Sequence, residues 1–196
     1  MKKLFMIMIL GLSLIGCTNL GLPPNIPTGQ TLVENDKTTK RLTDDGLYYM
    51  KDHISLEKYY IAHIFLNHTT TFNGSTSISM SLKYYPDTDS TYLLFDEVYS
   101  YNSYFVKGIL FSDRETVVDL DIKNLSNVID SQIPNIHLTK SQVQKLYKII
   151  SSSKPITARV TMNDGYFDTA FHDAFRPVVK EFLEVALKIK TYDIPE

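Results

Sequence analysis

Leu138–Ile189 reads LTKSQVQKLYKIISSSKPITARVTMNDGYFDTAFHDAFRPVVKEFLEVALKI, and its hydrophobic period switches from helix to strand and back. Thr139 is a good N-cap, and Gln142 three residues on completes a capping box. Leu138 and Val143 are placed for a hydrophobic staple. Val143, Leu146, Tyr147 and Ile150 then form one apolar stripe, which Ser151-Ser152-Ser153 and Pro155 bring to an end. The spacing predicts a helix over 138–153. Ile156, Ala158, Val160 and Met162 alternate with Thr157, Arg159 and Thr161, the period of a half-buried strand. Asn163-Asp164-Gly165 is a tight turn, because Asn and Gly tolerate positive φ. Tyr166–His172 is the return strand. Phe175, Val178, Val179, Phe182, Val185, Ala186 and Ile189 make the stripe of a last helix. Asp173 is placed to cap it, while Pro177 prefers an early helical position.

Upstream of this tail the period is two. Ile78, Met80, Leu82 and Tyr84 alternate with Ser77, Ser79, Ser81 and Lys83, which predicts a half-buried strand with a wet serine face. Tyr59–Asn67 is apolar on both faces and suits a central strand. Residues 91–101, 104–111 and 116–122 follow as strands. Asn73-Gly74, Pro86-Asp87, Asn102-Ser103 and Ser112-Asp113 fall between them as turns. Links this short make antiparallel neighbours rather than parallel crossovers. Thirteen Tyr, ten Phe and no Trp fit the same reading, since aromatics suit a pleated surface. The expected fold class is α+β: an antiparallel β-meander sheet, with two helices in the C-terminal half flanking a β-hairpin. Residues 47–196 are expected to form one globular domain.

The N-terminus carries a different kind of signal. Met1–Cys17 is MKKLFMIMILGLSLIGC: a short basic start, an apolar run from Leu4 to Leu14, and Leu14-Ile15-Gly16-Cys17 at its end. That order is a secretory signal with small residues before the cut. The run is shorter than the roughly 20 residues needed to span a bilayer. The ending resembles the lipobox of bacterial lipoproteins. The resemblance covers this segment alone. It implies cleavage after residue 16, a lipid on Cys17, and a mature protein held at a membrane of the cell envelope. Thr18, not Asp, follows Cys17. In a diderm organism, resemblance to sorted lipoproteins would then imply the periplasmic face of the outer membrane.

Residues 17–46 read as the lipidated Cys and a flexible tether. The stretch holds Pro23, Pro24, Pro27, Gly21, Gly29 and the polar run Glu34–Arg41, a composition that offers little to bury. Its expected work is to hold the domain off the lipid surface.

Composition excludes several function classes. The chain has 20 Lys+Arg and 22 Asp+Glu; loss of Lys2 and Lys3 with the signal leaves 18 and 22, a formal charge of −4. That balance argues against a nucleic-acid binder, which would show a basic face. It also provides no polybasic patch for anionic lipid. Cys17 is the single cysteine, so disulfides within the chain, CxxC redox pairs and cysteine metal sites are excluded from the mature protein.

No catalytic constellation stands out. His53, His63, His68, His137 and His172 show neither HExxH nor His-x-His spacing, and no metal or cofactor is expected. Asp119 and Asp121 share one strand face, an arrangement that the alternation explains as a solvated face rather than as a cation site or an acid–base pair. Asp87-Thr88-Asp89-Ser90 begins like a calcium loop but lacks its central Gly and terminal Glu. His172-Asp173 reads as a strand end and a cap. Gly-rich phosphate loops are absent.

The remaining signal is tyrosine. Tyr84, Tyr85, Tyr92, Tyr99, Tyr101 and Tyr104 cluster in the meander, and Tyr suits interfaces because it joins apolar area to a polar tip. Tyr92, Tyr99, Tyr101 and Tyr104 are the candidate interaction residues, with Tyr99 and Tyr101 expected on one face beside Phe95 and Glu97. The expected function is therefore a non-enzymatic, membrane-anchored binding or structural module, with an inhibitor-like or immunity-like role facing a periplasmic protein partner as a special case. The alternative is an envelope hydrolase with a site assembled from His172, Asp173, Asp119 or Asp121.

The anchor has a direct test. Cys17→Ser should abolish incorporation of a fatty-acid analogue in metabolic labelling and release the protein from membranes; equal labelling of the variant would refute the lipobox reading.

Overall fold

A computed structural model describes residues 25–70, 74–99, 106–121, 135–162 and 165–194. The expected signal peptide at 1–16, Cys17, the first part of the expected tether, Tyr101 and Tyr104 lie outside these residues. So do Asn73, Asn102, Ser103, Asn163 and Asp164 of the expected turns.

The described strands are β1 (Thr31–Glu34), β2 (Lys37–Arg41), β3 (Tyr48–Asp52), β4 (Lys58–Thr70), β5 (Gly74–Tyr85), β6 (Ser90–Tyr99), β7 (Val106–Ser112), β8 (Val117–Asp121), β9 (Asn135–Leu138), β10 (Thr157–Met162) and β11 (Gly165–Ala170). The helices are α1 (Lys140–Ser151) and α2 (Arg176–Ala186), with a 3-10 turn at Asp173–Phe175 before α2. The class is α+β, mostly antiparallel sheet with two helices.

Strands β1 to β6 lie side by side in chain order, and β9 adds beyond β6 to complete a seven-stranded sheet. A second sheet has the order β11-β10-β7-β8. Every pair is antiparallel. The expectation of a single sheet is corrected here: β7 and β8 leave the meander and pair with the tail hairpin through β7 and β10. A period of two identifies the buried face of a strand but not the sheet it joins. Ile109, Phe111, Val118, Leu120, Ala158 and Val160 are all buried, as the alternation requires.

One core serves both sheets and both helices. Ile64, Leu82 and Leu93 of the large sheet approach Phe111 and Leu120 of the small one, with Leu146 and Ile150 of α1 and Val179 of α2 around them. Phe182 in α2 and Leu47 before β3 are completely buried.

The helix starts are set locally. Thr139 Oγ1 accepts from the Gln142 amide at 3.3 Å, and Gln142 Oε1 accepts from the Thr139 amide at 2.9 Å, so the capping box forms. Gln142 Nε2 also donates to the Asp119 carbonyl at 3.1 Å, which ties α1 to β8. Before α2, His172 rather than Asp173 caps the 3-10 turn: its Nδ1 accepts from the Ala174 amide at 3.1 Å, while α2 itself starts after Phe175 without a side-chain cap. Asp173 binds Arg176 instead. The far end of α2 departs from the expected stripe. The chain turns left-handed at Lys188, φ 61°, and Ile189 is exposed. Glycine usually occupies that position, so the stop carried no glycine signal.

Two further expectations change. The stretch expected as a tether is structured from its middle on: β1 and β2 form a hairpin, and β2 pairs with β3. Backbone bonding supplies what apolar side chains do not, and Ile26 adds one buried anchor. Arg41 locks the incoming chain by donating to the carbonyls of Ile26 and Thr43 at 3.2 and 3.0 Å, and to that of Asp44. The serine face of β5 is also not wet at its centre. Ser79 and Ser81 are buried, because these small side chains lie between Phe65 and His63 on β4 and Leu94 on β6.

Phe182→Ala should lower the unfolding free energy by about 3–5 kcal/mol, the usual cost of truncating a core aromatic. Chemical denaturation checks this; an unchanged midpoint would mean that the α2 stripe is not core.

Candidate functional site

The large sheet has two unlike faces. Helix α2 packs on β4 and β5, and the inward residues of these strands feed the core. The outward residues form rows across the strands, set by register. One row runs Thr39, Met50, Tyr59, Tyr85 and Ser90. The next runs Arg41, Tyr48, Ile61, Lys83, Tyr92 and His137.

Aromatic rings link these rows. Tyr59 and Tyr85 have centroids 5.4 Å apart, Tyr85 and Tyr92 5.8 Å, and Tyr92 and His137 5.1 Å. Lys83 Nζ lies 4.9 Å from the Tyr59 ring centre, within cation–π range. The rings meet tilted or edge to face, as ring quadrupoles prefer. The result is a continuous aromatic band over β4, β5, β6 and β9. Tyr59, Tyr85 and Tyr92 are half-buried and His137 is exposed.

This packing changes the phenols. Burial raises Tyr59, with Glu57 and Asp52 adding to the effect. Burial, then Glu57 and the phenols of Tyr59 and Tyr92, push Tyr85 up to about 12. Both therefore stay neutral at physiological pH and keep a hydroxyl at the edge of an apolar strip.

Of the expected interaction residues, Tyr92 sits in the middle of this band. Tyr99 lies opposite Ser77 at the end of β6. A β-bulge interrupts the register before it: Phe95 pairs with Met80 and is buried in the core, Glu97 pairs with Ser79, and Asp96 is extra between them. Tyr85 belongs to the tyrosine cluster of the sequence without being among the candidate interaction residues, whereas Tyr59 and His137 belong to the band but did not emerge from the sequence. Only the register across strands brings them together, although Tyr85 and Tyr92 flank a recognisable turn.

Two residues of the hydrolase alternative have other partners. His172 caps the 3-10 turn, and Asp173 forms an ion pair with Arg176 at 2.8 Å. Asp119 is exposed on β8. Among the described residues, no group of three or more His, Cys, Asp or Glu side chains is placed to hold a metal ion. Asp87-Thr88-Asp89-Ser90 forms the link between β5 and β6, with Asp89 accepting from Tyr84 at 3.0 Å and pairing with Lys188 at 3.1 Å.

A cleft lined by Asp89, Thr91, Lys140 and Lys188 has a volume of about 60 Å³. Ordinary ligand pockets run to roughly 300–1,000 Å³. Comparison with protein-family models, curated proteins and solved structures finds no match.

The raised phenols make a pH prediction. A folded-state pKa above the unfolded value contributes stability at low pH that is lost as pH rises. An unfolded tyrosine titrates near about 10. Tyr85 should therefore help the fold up to that pH and cease to do so as pH nears 12. Tyr85→Phe should flatten this part of the alkaline stability profile in denaturant titrations; an unaltered slope would refute the assignment.

Proposed function

We propose that this chain is a lipid-anchored, non-enzymatic binding module of the bacterial cell envelope, and that its contact surface is the outward face of the seven-stranded sheet. The domain is a β-meander backed by a helix–hairpin–helix tail, held to the membrane through Cys17 and facing a protein partner. In a diderm organism it sits on the periplasmic face of the outer membrane. Inhibition or immunity against a secreted partner is the special case that this arrangement suits.

The supporting observation is the aromatic band Tyr59, Tyr85, Tyr92 and His137 on the face opposite α2. Aromatic anchors with polar tips are what hot spots are made of. The half-buried rings hold one another in place, so little ordering cost remains for association. The 60 Å³ cleft, by contrast, is too small for an ordinary metabolite.

Replacing both Tyr85 and Tyr92 by Ser should abolish partner capture from solubilised membranes by the tethered bait. Melting should show a smaller loss of stability than Phe182→Ala causes, because these rings are only half-buried. Undiminished recovery of every partner by a folded double variant would leave this face without the proposed role.

A further inference from the structure

The far end of β1, β2 and β3 carries an unusual set of side chains. Ile54 is 78% exposed, Leu56 69% and Val33 67%. They account for three of the six exposed large hydrophobics among the described residues. Val33 pairs with Thr38 beside the β1–β2 turn, and Thr38 Oγ1 lies 2.7 Å from His53 Nε2. Ile54 and Leu56 lie in the link between β3 and β4, so all three mark one end of the sheet.

The loop is held rigidly. Asp52 Oδ1 accepts from the amides of Ile54 and Ser55 at 2.8 and 2.9 Å. The Asp52 amide donates to the Glu57 carbonyl at 2.9 Å, and the His53 amide to that of Asp36 at 2.8 Å. Leu56 adopts φ 62°, a left-handed conformation that a residue of this size rarely occupies. A fixed loop that projects two aliphatic side chains loses little freedom when they are covered.

We propose that this tip inserts into the phospholipid interface of the bilayer that holds the Cys17 anchor, which orients the domain on the membrane. The inference rests on the lipid-anchor reading above.

Reach supports it. Thr18–Asn25 link Cys17 to the buried Ile26, and span at most roughly 30 Å at about 3.3–3.6 Å per residue. Ile26 is gripped by Arg41, at the end of β2 away from the tip. The length of β2 is only about 14 Å at about 3.4 Å per residue. The tether can therefore bring the anchor to the lipid surface that the tip touches.

Shape and charge select lipid over protein. Three separate exposed aliphatics cannot supply the roughly 800 Å² per partner of a stable protein interface, whereas lipid closes around single side chains. Around the tip, Lys37, Lys51 and Lys58 are outnumbered by Glu34, Asp36, Asp52 and Glu57, so no basic patch faces the lipid. The contact is thus apolar, independent of anionic lipid and insensitive to salt.

The chain has no tryptophan, so Ile54→Trp installs a single reporter. The lipidated variant is reconstituted in phosphatidylcholine vesicles whose acyl chains carry a bromine quencher, with Val117→Trp on the edge strand β8 as the control. The expected result is a blue shift and loss of most emission for Ile54→Trp, unchanged in high salt, with Val117→Trp bright. Flotation with the vesicles reads the anchor separately. Flotation without quenching at position 54 overturns the tip contact and leaves the anchor standing; failure to float overturns both. Equal quenching at both positions overturns the stated orientation. A concentration-dependent blue shift of Cys17→Ser/Ile54→Trp without vesicles would assign the tip to a second copy instead.

Discussion

Arg176 holds the two helices in one frame. Its guanidinium donates to the carbonyls of Ile150 and Ser152 at 3.3 and 2.8 Å, to that of Lys154 at 3.0 Å, and to Asp173. The last carbonyls of a helix have no partner within it, and a cation there also opposes the negative end of the helix dipole. Arg176 is the first residue of α2, so a single side chain closes α1 and positions the start of α2. Between the two helices the chain makes the β10–β11 hairpin of the small sheet. The clamp therefore gathers helix, hairpin and helix around one core, and the large sheet packs its inward face against the result.

That division leaves the large sheet with a face that neither the core nor α2 uses. Its outward side is neither the polar surface of a solvated sheet nor a second core. Small buried serines lie at its centre, tyrosines and aliphatics flank them, and Lys83 covers one ring. Among the described residues, Asp113 holds a turn, His172 caps one, and Asp168 and Asp173 are in ion pairs. Arg159 and Asp168, for example, form a two-point ion pair across β10 and β11 at 2.7 and 2.8 Å.

The tail was legible in the sequence because its signals are local. The Thr139–Gln142 box, the alternation from Ile156 to Met162 and the stripe around Phe182 each lie within a few residues. The α2 stop was not legible, since Lys188 takes a left-handed position without being glycine. The hairpin of β1 and β2 was hidden for a related reason: its stability comes from backbone pairing, and its polar composition resembles a linker. The division into two sheets depends on which strand β7 meets, a long-range choice that no period encodes. Of the proposed contact face, Tyr85 and Tyr92 could be named from clustering. Tyr59 and His137 could not, because their proximity to Tyr85 and Tyr92 exists only across strands.

The bulge in β6 has an evolutionary consequence. Asp96 is the extra residue between Phe95, opposite Met80, and Glu97, opposite Ser79. Removing it would leave every other partner of β5 and β6 in place, because the register on either side already matches. Elsewhere in these strands a one-residue change of length would turn core side chains outward. Position 96 is thus the point in the meander where length variation among descendants of this gene is tolerable, and where a chain one residue shorter would still align with this one on both sides.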